Sequence, residues 1–195
     1  MKVVGIDLSG NEKRASGICI LNEKFEAECF LLKKDKEIIS LIKKEKPDLV
    51  AIDAPLSLPL GRKSLDKKEK VHFRECDKEL WKYGIKFLPI TLGPMRELTK
   101  RGIKIRIILE SMKFKVIEVY PGATQDLLKI PRKQRGLEKL KRGLENLGIN
   151  FDKENLTHDE LDAATAAYTG YLFLIKKAIE VGNEKEGTIV IPLIE

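Results

Sequence analysis

Leu49-Val50-Ala51-Ile52-Asp53 is a nearly unbroken apolar run closed by a carboxylate, and the fold is read outward from it. Unbroken apolarity over this length suits a strand buried on both faces, as in the parallel part of a sheet. Just before it, Asp35–Lys46 places Ile38, Ile39, Leu41 and Ile42 on one face of a helix. Pro47 stops that helix, because proline disfavours helical geometry in the residue preceding it. Further upstream, Lys2–Leu8, Ala15–Leu21 and Lys24–Leu32 are short β-branched or aromatic runs, separated by Ser9-Gly10-Asn11 and Asn22-Glu23. Links this short predict an antiparallel meander.

Downstream, the pattern fails from Ala54 to about Phe73, where Pro55, Pro59 and Gly61 interrupt it and charges crowd in. A connection this long reads as an active-site lid or a surface excursion. Helical patterning returns at Arg74–Trp81 and at Met95–Met112, and Lys115–Tyr120 is another strand, stopped by Pro121-Gly122. Helices are expected over Ala123–Lys129 and Arg132–Leu147. Thr157 with Glu160 three residues later marks the start of a last helix, expected to run to about Val181 and end at Gly182. Ile189–Ile194 closes the chain as a strand. The order predicts one mixed α/β domain over residues 1–195, with a helical and loop insertion at about 54–112.

The chain has 195 residues, 37 Lys+Arg against 30 Asp+Glu and a formal net charge of +7. With 43% hydrophobic residues it can bury a core without covalent staples, which excludes a disordered chain or a disulfide-dependent miniprotein. The longest uncharged stretch, Ala163 to Ile175, is about 13 residues, and a membrane-spanning helix needs about 20. Cys19, Cys29 and Cys76 are odd in number and lack CxxC spacing, so neither a disulfide framework nor a zinc site is expected. A reducing, cytoplasmic setting follows. The richness in Lys and Glu leans towards a thermophilic source. The positive balance favours an anionic partner. Basic residues cluster at Arg62, Lys63, Lys67, Lys68 and Lys70, and at Arg132, Lys133, Arg135, Lys139, Lys141 and Arg142.

Several acids sit where the pattern asks for something apolar. Asp7 ends Val3-Val4-Gly5-Ile6 and Asp53 ends its own run, so both lie at the carboxyl edge of a strand, where open α/β sheets place ligands. Glu118 lies inside Val116-Ile117-Glu118-Val119-Tyr120, where the alternative is a buried ion pair with Arg74 or Arg106. Asp159 and Asp162, three apart, share a helix face that continues through the small Ala163, Ala166 and Gly170. Such a face lets a helix backbone approach a sheet closely. Glu160 is assigned to capping, and His158 to an exposed first turn. Carboxylates gathered in one place repel unless cations hold them. Mg²⁺ and Mn²⁺ favour carboxylate oxygens, and two such ions can serve an in-line phosphoryl displacement.

The segments Val4-Gly5-Ile6-Asp7, Ala51-Ile52-Asp53-Ala54-Pro55-Leu56-Ser57-Leu58-Pro59, Phe73-Arg74-Glu75-Cys76-Asp77, Ile117-Glu118-Val119-Tyr120-Pro121 and His158-Asp159-Glu160-Leu161-Asp162-Ala163 together resemble the DUF429 family of RNase H-like nucleases. The resemblance spans nearly the whole chain and keeps the motifs in order. It implies an RNase H-like mixed five-stranded sheet, three antiparallel strands then two parallel ones, flanked by helices. It places Asp7 beside Asp53, with the last helix over the same edge. The activity it implies is metal-dependent hydrolysis of phosphodiesters in structured or duplex nucleic acid. Asp7, Asp53, Glu118, Asp159 and Asp162 are the expected catalytic acids, with Asp7, Asp53 and Asp162 holding Mg²⁺ or Mn²⁺, as two ions. Lys13, Arg14, Arg62, Lys63, Arg74, Arg132, Lys133 and Arg135 are the expected contacts to nucleic acid. No membrane partner is expected, and a homodimer is among the assemblies considered. A non-catalytic binding module on the same scaffold is the alternative, and a phosphotransferase of the actin and sugar-kinase type a third.

Overall fold

The computed structural model describes residues 1–67 and 69–194, so Lys68 of the first basic cluster lies outside the described residues. The strands are β1 (Lys2–Asp7), β2 (Ser16–Asn22), β3 (Glu26–Leu32), β4 (Leu49–Asp53), β5 (Val116–Glu118) and β6 (Asn150–Phe151), forming one sheet in the order β5-β4-β1-β2-β3-β6. The β1–β2–β3 meander is antiparallel, and β4 and β5 run parallel to β1. The mixed order is the expected one. The sheet has six strands where five were expected, because Asn150-Phe151 pairs in parallel with Glu26-Ala27 at the β3 edge. A two-residue strand is created by its partner and leaves no local signal.

Layers form on both faces, which is why the central strands read as continuous apolar runs. On one face Val4, Ile6, Val50 and Ile52 pack against Ile38 and Ile42 of α1 (Asp35–Glu45) and Ile105 and Leu109 of α3 (Gly93–Ser111). On the other, Val3, Leu49 and Ala51 pack under α6 (His158–Leu174). This helix lies directly on the sheet. A Cβ added to Gly5 would fall 2.1 Å from the Ala163 carbonyl oxygen and 2.4 Å from the Ala167 nitrogen. One added to Gly17 would fall 1.9 Å from the Asp159 carbonyl oxygen. Backbone atoms cannot swing aside as a side chain can. Gly5→Ala is therefore expected to destabilise the fold by about 1–3 kcal/mol or more, read as a lower urea midpoint at unchanged slope.

The start of α6 is capped as expected: Glu160 N donates to Thr157 Oγ1, and the Glu160 carboxylate accepts from Thr157 N at 2.9 Å. Its end is not where the sequence suggested. The helix stops at Leu174, and Lys176 takes a left-handed φ of 59°. The chain then forms a hairpin of β7 (Ala178–Asn183) and β8 (Gly187–Pro192). Ile179 pairs with Ile191 and Val181 with Ile189, so residues spaced to continue a helix face are used in a strand. Gly182, expected as the helix stop, lies instead in β7 against Cys76.

This hairpin, α2 (Glu75–Lys82) and α4 (Pro121–Leu127) enclose a third apolar cluster around Cys76, Leu80, Ala123 and Ile191. The remaining elements are a 3₁₀ turn at Lys133–Arg135 and α5 (Leu137–Asn146), so the helix expected over 132–147 starts later and is preceded by that turn. The three cysteines are free and buried. Among the described residues no helix is long and apolar enough to cross a membrane.

Candidate active site

Strand register decides which acids meet. Asp7 and Asp53 are direct partners on adjacent parallel strands, and both follow the residues that face α6. Directly across β2, the partner of Asp7 is Gly17, whose missing side chain lets the first turn of α6 descend to the sheet. That brings Asp159 to Asp7: carboxylate oxygens of Asp7 and Asp159 and a ring nitrogen of His158 lie within 4.8 Å of one another. His158 Nδ1 and Asp159 Oδ1 are 2.8 Å apart. One turn on, Asp162 is buried. Its Oδ1 accepts from Gln125 Nε2 of α4 at 2.9 Å, and its Oδ2 accepts from Lys133 Nζ at 2.7 Å.

The cluster is electrostatically strained when it stands alone. Burial, and then the charges of Asp162 and Asp159, push Asp7 up to about 8. Burial, followed by the charges of Asp7 and Asp162, also raises Asp53 well above the usual carboxylate range. For Lys133 burial works against the charge. The hydrogen bond to Asp162 and the fields of Asp162, Asp7 and Asp53 outweigh it, and its pKa is raised. Carboxylates that oppose one another's ionisation this strongly fit a divalent cation, and an oxygen-rich donor set suits Mg²⁺ or Mn²⁺.

Glu118 does not join them. Its strand partner is Ile52 rather than Asp53, so it projects to the opposite face of the sheet. There its carboxylate accepts from Arg74 Nη1 and Nη2 at 2.7 and 2.6 Å and from Leu56 N at 2.7 Å. The buried ion pair, the alternative weighed for this residue, is what the structure contains. Arg74 is corrected with it: 1% exposed and spent on Glu118, Asp77 and Ser57, it has no donor to offer a phosphate. Arg62 is corrected too, because its guanidinium is buried and donates to the carbonyls of Val71, Ser64, Lys67 and Glu69, holding its own loop together.

The other basic residues are differently placed. Lys13, Arg14, Lys63 and Arg135 are exposed, and Arg132 is half-buried against Asp126. Lys133 sits inside the acid cluster. Sequence reasoning missed Gln125, which stands between Thr124 and Asp126 with no local signal to single it out. His158 is exposed in the first turn of α6, as expected, and from there its Nδ1 lies beside Asp159.

No family model and no curated protein sequence matches the chain. Solved structures do. The RuvC of T. thermophilus in complex with a Holliday junction substrate is similar over 90% of this chain and 96% of that chain, with a TM-score of 0.51 at 11% identity. This chain has an RNase H-like fold. A second structure of RuvC, from Thermus thermophilus, aligns over 90% of this chain and 97% of that one, with a TM-score of 0.49 and 11% identity. The likeness is one of fold, and the acids described above come from this chain's own register and packing.

Proposed function

We propose that this protein is a divalent-metal-dependent nuclease that hydrolyses phosphodiesters in structured or duplex nucleic acid. The observation that carries the reading is the in-register pair Asp7 and Asp53, with Asp159 and Asp162 of α6 on the same face. Asp7, Asp53 and Asp162 would hold Mg²⁺ or Mn²⁺, and Asp159 with His158 would complete the oxygen and nitrogen donors beside them. Bound there, a divalent ion supplies a Lewis acid and an activated water for in-line displacement at phosphorus. Gln125 orients the Asp162 carboxylate through its amide. Lys133 neutralises Asp162 and is placed to turn towards a phosphate once a cation takes over that role. The DUF429 resemblance and the reading of residues 1–195 as one domain, with 54–112 as an insertion, belong to this proposal.

Lys13, Arg14, Lys63, Arg132 and Arg135 are the remaining phosphate contacts, so binding should weaken steeply as salt rises. The test is cleavage of labelled single strands, duplexes, RNA–DNA hybrids and four-way junctions, the last chosen because the similar RuvC was solved on one. Cutting in Mg²⁺ or Mn²⁺ that stops in EDTA is the expected result. Cutting that persists in EDTA would refute the metal requirement. Nucleic-acid binding unchanged by chelation, with no substrate cut, would favour a non-catalytic module instead; Lys133 already acts as a counter-ion in the cluster and is the observation on that side.

A further inference from the structure

At the carboxyl edge of the sheet, a cavity of ≈ 220 Å³ lies between α2, α3 and the end of β5, with both Glu118 and Asp53 in its lining. A single water needs only about 10–15 Å³ on this measure, so the space suits a larger guest. Its walls include Phe87, Leu88, Met95, Leu98 and Tyr120. Phe87 is buttressed by Trp81, stacked at 5.4 Å, and by Phe73, edge-on at 5.9 Å. Trp81 is 51% exposed and Leu88 57% exposed, so apolar surface stays open to solvent around the cavity.

The polar side of the cavity is unusual in what it offers. Arg74, Asp77 and Glu118 line it. All five N–H groups of the Arg74 guanidinium are already used, on Asp77 Oδ1 and Oδ2, Ser57 Oγ, and Glu118 Oε1 and Oε2. The Tyr120 hydroxyl is used as well, on the Lys86 carbonyl. Acceptor capacity is what is left. Glu118 Oε1 accepts from Arg74 Nη2, and Asp77 Oδ1 accepts from the same nitrogen and weakly from Cys76 Sγ at 3.9 Å. A carboxylate oxygen takes two donors, so Glu118 Oε1, with one, has room for a second. The guest described by these walls is flat and apolar on its faces, with N–H groups on its edge.

We propose that the cavity receives an unstacked nucleobase of the bound strand, from a nucleotide beside the phosphate held at Asp7 and Asp53, and prefers bases that carry amino groups. The proposal rests on the nuclease reading and deepens it: the favoured substrates are those with an unpaired nucleotide at the cut, rather than uninterrupted duplex. Adenine, cytosine and guanine present an amino group, whereas thymine does not. A base taken out of the stack is commonly held between apolar side chains and read along its hydrogen-bonding edge.

The test is fluorescence anisotropy with the full-length Asp7→Asn chain in Mg²⁺, so that binding is read without cleavage. The probes are one duplex sequence left intact, with a single unpaired guanine, with an unpaired thymine, or with an abasic residue in the same place. The guanine bulge should bind about tenfold tighter than the abasic one, the size expected for one stacked base, with thymine between them. Met95→Trp, which fills the cavity, should erase that difference while leaving affinity for intact duplex unchanged. Leu88→Gln, at an exposed position where folding is not at stake, should reduce it several-fold. Equal binding of guanine and abasic bulges by a chain whose wild type cuts in Mg²⁺ would overturn the cavity proposal and leave the nuclease reading standing. Failure of the wild type to bind or cut any nucleic acid would overturn both. Competition by micromolar guanosine monophosphate would reassign the cavity to a free nucleotide and overturn its role on a strand.

Discussion

Asp7→Asn and Asp162→Asn are each expected to lower metal-dependent cleavage by at least about 100-fold, with substrate binding retained. A catalytic metal supplies several kcal/mol of transition-state stabilisation, and each tenfold in rate corresponds to about 1.4 kcal/mol. An amide is nearly isosteric with the carboxylate but carries no charge to hold the ion. The same exchange at Asp7 should have the opposite effect on the protein without metal. Its pKa is raised from 3.8 to about 8, so the folded state prefers the protonated form. That preference contributes fully below the unfolded value and is lost as pH rises through the folded one. In EDTA, wild type should therefore lose stability between pH 4 and pH 8, and Asp7→Asn should lose less. At pH 8 the variant should melt about 3–8 °C higher than wild type, and Mg²⁺ should narrow the gap by stabilising wild type alone. Equal melting of the two proteins in EDTA would show that Asp7 is not held in a crowded cluster.

Arg74→Met is expected to be the most destabilising single change away from the acid cluster. Removing one partner of a buried ionic network costs about 3–5 kcal/mol, because the charges left behind have neither water nor a counter-ion. Here it would leave two carboxylates, Asp77 and Glu118, unpaired in the interior. Burial already raises the pKa of Glu118, with Arg74 opposing it, so the variant should be rescued in part by acid. Adding Glu118→Gln to Arg74→Met should recover stability in urea denaturation, since it removes one of the stranded charges. A double variant no more stable than the single one would show that the cost lies in lost packing. The consequence reaches the active site through Leu56, whose N–H donates to Glu118 and so holds the turn that leaves Asp53.

Much of this architecture is local in origin. The runs ending in Asp7 and Asp53 are legible because strands covered on both faces must be apolar throughout, so a carboxylate at the end of such a run stands out. Thr157 and Glu160 announce the start of α6 because a cap is built from residues three apart in the chain. The small face through Ala163, Ala166 and Gly170 foretells close approach to the sheet, since backbone can only touch backbone where side chains are missing.

Other features exist only because distant segments meet. Ile175 and Ile179 suit a continuing helix as well as a hairpin. Pairing of Ile179 with Ile191 selects the hairpin, and the left-handed turn at Lys176 carries no glycine to mark it. Glu118 looks like one more acid on one more strand, yet a register that sets it beside Ile52 sends it to the far face of the sheet. Arg74 is consumed by Glu118, 44 residues away, rather than offered to a phosphate, and that choice exists only once the two segments meet. Arg62, by contrast, is buried by carbonyls of its own loop. Lys133 and Gln125 converge on Asp162 from 29 and 37 residues away. The sequence alone determined which strands carry acids and where α6 begins, since both depend on neighbours along the chain. Which acids share a site, and which cations hold them, was decided by side-chain parity across the sheet and by burial, which only the assembled fold possesses.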